Sequence, residues 1–251
     1  MLSTLFAVIA AIIYSYVGWC LSKRLISFAE SRLAWQSFVL WWYGLAASTL
    51  IGGLLSLFGA FGVTDLAVFV TATYINMLLS CVALLGLFYY LTYLFTGNSR
   101  WLPRLAILYF VFYILIIYQI TASSPESVIL ERWSTTLSYR VPLTGTFITI
   151  LIVLLFASQL FGGFAYFTIY FRVPEATKKY RILLVSWSII IWFLTPFLGV
   201  AGELTRQDWW QIVSRLIGLA AALMILLAYF PPEKLKQRYG LISLTDENQV
   251  N

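Results

Sequence analysis

The chain has 251 residues, of which 61% are hydrophobic, 18% aromatic and only 10% charged, with a formal net charge of +6 and no histidine. Soluble domains carry about 25% charged residues, so this composition excludes an ordinary soluble fold and describes a multi-pass membrane protein. Without histidine the chain lacks the commonest haem, copper and zinc ligand and the usual general base near neutral pH, and Cys20 and Cys81 are too few for a disulfide framework.

A membrane-spanning helix needs about 20 mostly apolar residues, and seven segments meet that need. The first, 2–21, has no basic run ahead of its apolar core and ends in the bulky stretch YVGWCL, so it reads as a spanning helix rather than a cleaved leader. SKRLISFAESRLAWQ leads to the second, 37–62, where Gly44, Gly52, Gly53 and Gly59 allow close helix approach. VTD leads to the third, 66–96, which places Thr71, Thr73, Tyr74 and Asn76 in its first half. TGNSRWLPR leads to the fourth, 102–122, with Tyr118, Gln119 and Thr121 near its end.

Residues 123–142, SSPESVILERWSTTLSYRVP, are too few for a domain and are expected to form an interfacial helix over the mouth of the bundle. The fifth span, 143–171, contains Gln159 and the packing pair Gly162 and Gly163. RVPEATKKYR precedes the sixth, 182–202, where Pro196 interrupts the helix beside Thr195. Neighbouring helices are expected to satisfy the carbonyl that this proline frees. GELTRQD precedes the seventh, 209–230, which Pro231 and Pro232 close. The expectation is therefore an all-α seven-helix transmembrane domain over 1–232. A tail over 233–251, basic at first and then polar, is expected to be disordered.

The basic residues fall on alternate sides. Twelve of the sixteen Lys and Arg follow spans one, three, five and seven: Lys23, Arg24 and Arg32, then Arg100 and Arg104, then Arg172, Lys178, Lys179 and Arg181, then Lys234, Lys236 and Arg238. The other side has Arg132, Arg140 and Arg206 against Asp65, Glu126, Glu131, Glu203 and Asp208. The positive-inside rule then puts the N-terminus outside and the C-terminus in the cytoplasm of a bacterial inner membrane. This placement also accounts for the net charge without nucleic acid. Trp35, Trp41, Trp42, Trp101, Trp209 and Trp210 are expected at the interfaces, where amphipathic rings anchor helices.

Arg215, in WWQIVSRLIGLAA, is the one charge well inside a span. Two readings stand. Its stem snorkels so that the guanidinium meets Glu203 or Asp208, or it lines an outward-opening pocket and holds an anionic group. The second reading gathers Arg215, Gln211, Asn76, Gln119 and Thr195 as a ligand-binding set, with Gln211 and Arg215 four apart on one helix face. No acidic residue lies within a span and no nucleophile pairs with a base, so no catalytic constellation, metal site or cofactor is expected. Spans 1–3 and 5–7 share no motif of the kind that marks transporter repeats.

Seven spans in this orientation resemble the microbial rhodopsins, and WSIIIWFLTP (187–196) is similar to their aromatic sixth helix. That family holds retinal through a lysine in its seventh helix, whereas Lys23, Lys178, Lys179, Lys234 and Lys236 all lie in loops or the tail. Arg215 stands near the corresponding place and forms no Schiff base, so a light-driven opsin is excluded. KKYRILLVSW (178–187) and AYFPPEKLKQRYG (228–240) resemble bacterial seven-helix sensor modules, such as those at the N-terminus of some histidine kinases. That resemblance implies a receptor-like bundle with an outer-face pocket. The stretch carries no output domain, so it would act through a membrane protein partner or another copy of itself, with membrane lipids around it. A structural subunit of a larger membrane complex and a small solute permease are the alternative expectations.

Overall fold

The computed structural model describes residues 2–23, 29–130, 135–141, 158–205 and 209–243. Among them are helices α1 (Leu2–Ser22), α2 (Ala29–Ala60), α3 (Leu66–Thr96) and α4 (Trp101–Ala122), then strands β1 (Pro125–Leu130) and β2 (Thr135–Tyr139). Helices α5 (Ser158–Tyr170), α6 (Ala176–Thr205), α7 (Trp209–Tyr229) and the short α8 (Glu233–Tyr239) follow. Five stretches, Ser3–Ser22, Ser31–Ala60, Leu66–Thr96, Trp101–Ala122 and Ile212–Tyr229, are long and apolar enough to cross a membrane. In hydrocarbon a backbone must satisfy its own polar groups, which a helix does within one segment. The chain is a mostly helical, multi-pass membrane protein.

The connections are cut by specific residues. Gly62 turns at φ 75° after α2, and the Val63 N–H donates back to the Phe58 carbonyl at 3.0 Å. Asp65 then caps α3, its carboxylate accepting from the N–H groups of Ala67 at 2.9 Å and Val68 at 3.4 Å. At the far end of α3, Gly97 takes the left-handed conformation and its N–H donates to the Tyr93 carbonyl.

Consecutive helices pack side by side: α1 on α2, α2 on α3, α5 on α6 and α6 on α7. Helix α3 also touches α5, and α1 meets α7, so the first and last long helices close a ring. Helix α4 packs on α3, around Cys81, Leu84, Tyr109, Ile116 and Ile120. Small residues bring the helices together. A Cβ added at Gly44 would lie 2.6 Å from the Ala83 Cβ, and one at Gly53 would lie 2.8 Å from the Ala7 Cβ. Gly163 does the same for α5 against Ile190 of α6.

An aromatic core fills the half of the ring away from the α1 N-terminus. Phe38 stacks on Tyr90 at 4.4 Å between ring centres, Trp41 meets Trp42 at 4.1 Å, and Trp42 stacks on Tyr14 at 6.1 Å. This corrects one expectation about the interface. Trp41 and Trp42 are fully buried core residues, whereas Trp101 and Trp209 are exposed as anchors should be.

The described part of 123–142 also departs from expectation. Instead of an interfacial helix, β1 and β2 form an antiparallel hairpin, with Val128 opposite Leu137 and Ile129 opposite Thr136. The Arg140 Nε–Glu126 Oε1 pair, 2.9 Å apart and exposed, bridges its strands. The hairpin lies against the ends of α2 and α3, where Thr135 sits on the space left by Gly59 and Tyr139 packs on the α3–α4 cluster.

The start of the tail is ordered too. Helix α8 ends at Gly240 in the left-handed conformation, and Leu241 and Ser243 turn back into buried positions. Arg181, itself buried at the start of α6, donates from Nη2 to the Ile242 carbonyl at 2.7 Å and lies over the Tyr229 ring. A buried guanidinium needs acceptors, and the returning tail supplies one.

Candidate functional site

A cavity of about 230 Å³ lies inside the ring. Helix α1 contributes Phe6, Ala7, Ala10 and Tyr14, and α2 contributes Leu45, Ser48, Thr49 and Gly52. Asn76, Met77, Ser80, Ala83 and Leu84 come from α3, Trp192 and Thr195 from α6, and Ser214, Arg215 and Gly218 from α7. Arg215 is six residues into α7, about 9 Å along its axis at 1.5 Å per residue. The cavity therefore occupies the half of the bundle that holds the N-termini of α1, α3 and α7.

The Arg215 guanidinium lies over Gly52. A Cβ there would come within 2.8 Å of Nη2 and 3.2 Å of Nη1, so the glycine makes the room this cation occupies. Among the described residues Arg215 has no hydrogen bond and no ion pair. The proposed partners Glu203 and Asp208 lie outside the described residues and side chains, as does the side chain of Gln211.

The other polar groups are engaged with the protein. The Ser48 hydroxyl donates to Asn76 Oδ1 at 2.6 Å and lies 3.2 Å from the Ser80 hydroxyl, which donates to the Asn76 carbonyl at 2.9 Å. The arrangement ties α2 to α3 and orients the Asn76 amide, whose Nδ2 has no partner among the described residues. The Tyr14 hydroxyl donates to the Gly218 carbonyl at 3.2 Å, joining α1 to α7. Ser214 donates to the Thr195 carbonyl at 2.8 Å, joining α7 to α6.

Thr195 answers the question raised by Pro196. Proline brings no N–H to the carbonyl four residues back, which is that of Trp192. The Thr195 hydroxyl donates to it at 2.8 Å. The freed acceptor is thus satisfied from within α6, not by a neighbouring helix as expected.

Of the five expected ligand-binding residues, the structure brings Arg215, Asn76 and Thr195 to one cavity. Gln119 is not among the described residues lining it, because α4 packs on α3 away from the ring centre. The nearby Thr121 hydroxyl pairs with the Tyr74 hydroxyl at 2.9 Å and fastens α4 to α3. Sequence reasoning missed Tyr14, Ser48, Ser80 and Gly52. A signal existed: Ser48 and Gly52, and Asn76 and Ser80, are four apart within apolar spans, which stacks each pair on one helix face.

Comparison with protein-family models, with curated proteins and with solved structures finds no match to this chain.

Proposed function

We propose that the protein is a seven-helix, receptor-like bundle of the bacterial inner membrane, with its N-terminus outside, that takes a small anion from the outer side. The observation that carries this reading is the Arg215 guanidinium, which borders a cavity with no acceptor from the described residues. A guanidinium at this depth is costly, and an anion held by its planar fork offsets that cost. The Asn76 Nδ2 orients the ligand, Thr195 lines the wall beside it, and Gln211 stands one turn from Arg215 on α7.

The distribution of Lys and Arg supports the orientation, because the cavity then lies in the outer half of the bilayer. A relay to a membrane partner is supported by Tyr14, which borders the cavity, bonds α7 and stacks on Trp42 of the core. On this reading the module acts by binding alone, and no catalytic step is assigned to it.

Native mass spectrometry of the full chain, released from its own membrane in mild detergent, tests the proposal. An acidic small molecule retained by the wild type and absent from Arg215→Gln is the expected result. Equal retention by both, or none by either, would overturn it.

A further inference from the structure

Which anion fits follows from counting charges, donors and space, and the count rests on the anion-binding reading above. Among the described residues lining the cavity, Arg215 is the only ionisable side chain apart from the neutral phenol of Tyr14. One cation in a mostly apolar cavity neutralises one negative charge. A dianion would keep one charge unpaired in low dielectric, where an isolated charge is very costly.

Donors are as restricted. The hydroxyl protons of Ser48, Ser80, Thr195, Ser214 and Tyr14 each have a protein acceptor. The Arg215 fork, the Asn76 Nδ2 and the Thr49 hydroxyl are left without one among the described residues. A fork carrying parallel N–H groups matches the two oxygens of a carboxylate, and an amide and a hydroxyl complete their remaining lone pairs. A phosphate monoester is set apart by its second charge, which no cation among the described lining residues meets.

The rest of the wall is apolar, with Phe6, Leu45, Met77, Leu84 and Trp192 as its largest side chains, which suits an apolar body. A cavity of about 150 Å³ lined by apolar side chains holds benzene, with six carbons. Scaling to the 230 Å³ found here gives a ligand of about nine non-hydrogen atoms. We infer that the cavity between α1, α2, α3, α6 and α7 is a site for a small monocarboxylate with a compact apolar body, its carboxylate on Arg215 and Asn76 and its body against Trp192 and Phe6.

The test is calorimetric titration of the full chain in detergent micelles at pH 8. Benzoate is compared with benzamide, which has the same shape and no charge, and with phenyl phosphate, a dianion at that pH. One saturable benzoate site is expected, with benzamide and phenyl phosphate at least about tenfold weaker. Arg215→Gln weakens benzoate about 100-fold and Arg215→Lys, which keeps the charge and loses the fork, about tenfold. Asn76→Leu, which leaves Arg215 intact, weakens it about tenfold. Thermal unfolding of each variant establishes that it is folded.

Tighter binding of phenyl phosphate or inorganic phosphate than of benzoate, lost in Arg215→Gln, would overturn the carboxylate while leaving the anion site. Equal binding of benzamide and benzoate, or no dependence on Arg215, would overturn both. A straight-chain series from acetate to dodecanoate checks the size and the source. Affinity that peaks near eight or nine non-hydrogen atoms supports a free carboxylate, whereas a steady rise with chain length overturns the small-ligand site in favour of a bilayer-derived acyl chain.

Discussion

Replacing Arg215 with methionine should make the ligand-free protein more stable. Methionine retains a long apolar stem and removes the charge, and the guanidinium it removes has no acceptor among the described residues. An arginine at the centre of a spanning helix costs about 2.5–3.5 kcal/mol on insertion scales. Arg215 lies about 9 Å along α7 and borders a cavity, so about half of that cost remains, and the substitution recovers about 1–2 kcal/mol. At about 2–4 °C per kcal/mol for a chain of this size, Tm rises by about 2–8 °C. Tryptophan-fluorescence melts in one detergent, with and without benzoate, read the effect. Saturating benzoate at a hundred times Kd raises wild-type stability by about 2.7 kcal/mol and leaves the variant unmoved. A fall in Tm would refute the reasoning, because breaking a buried ion pair costs about 3–5 kcal/mol in the opposite direction.

Gly44→Ala forces a Cβ to within 2.6 Å of the Ala83 Cβ and should destabilise the bundle by about 1–3 kcal/mol. Adding Ala83→Gly should restore most of that loss in a double-mutant cycle on thermal melts. Thr195→Val leaves the Trp192 carbonyl beside Pro196 without its hydroxyl donor. The cost should be about 0.5–1.5 kcal/mol, the net worth of one intramolecular hydrogen bond, read in the same melts. Arg181→Ala removes the donor to the Ile242 carbonyl. Limited proteolysis of the variant should cut within 233–243 faster than in wild type, while the rest of the chain resists equally.

Much of the architecture was legible because hydrocarbon leaves a chain so few options. Long apolar runs separated by KR-rich or turn-forming stretches become helices, and the ends of α3, α4 and α7 fall within a residue of the expected ones. What sequence reasoning lost was whatever depends on facing direction. Trp41 and Trp42 sit where interfacial anchors belong, yet their faces point inward onto Phe38 and Tyr14. Gln119 has the right depth and the wrong helix, since depth along the chain says nothing of position around a ring. Residues 125–130 and 135–139 were misjudged by length alone. Their β-branched Val128, Ile129, Thr135 and Thr136 favour a strand pair, and the stretch between them is short enough for a hairpin. Leu241 and Ser243 gave little warning. They flank the Ile242 carbonyl that accepts from Arg181, a residue 61 positions earlier.

The bond from Tyr14 to the Gly218 carbonyl spans 204 positions of the chain, and that separation has a temporal meaning. A ribosome adding about 5–20 residues per second makes α7 about 10–40 seconds after α1. Until then the wall that carries Arg215 does not exist, and α1 and α2 wait in the bilayer with Gly52 facing no cation. The cavity is therefore a late product of biosynthesis, completed only when the last long helix meets the first. A nascent chain stalled before α7 would be inserted and partly packed, but without Arg215 and without the wall that completes the cavity.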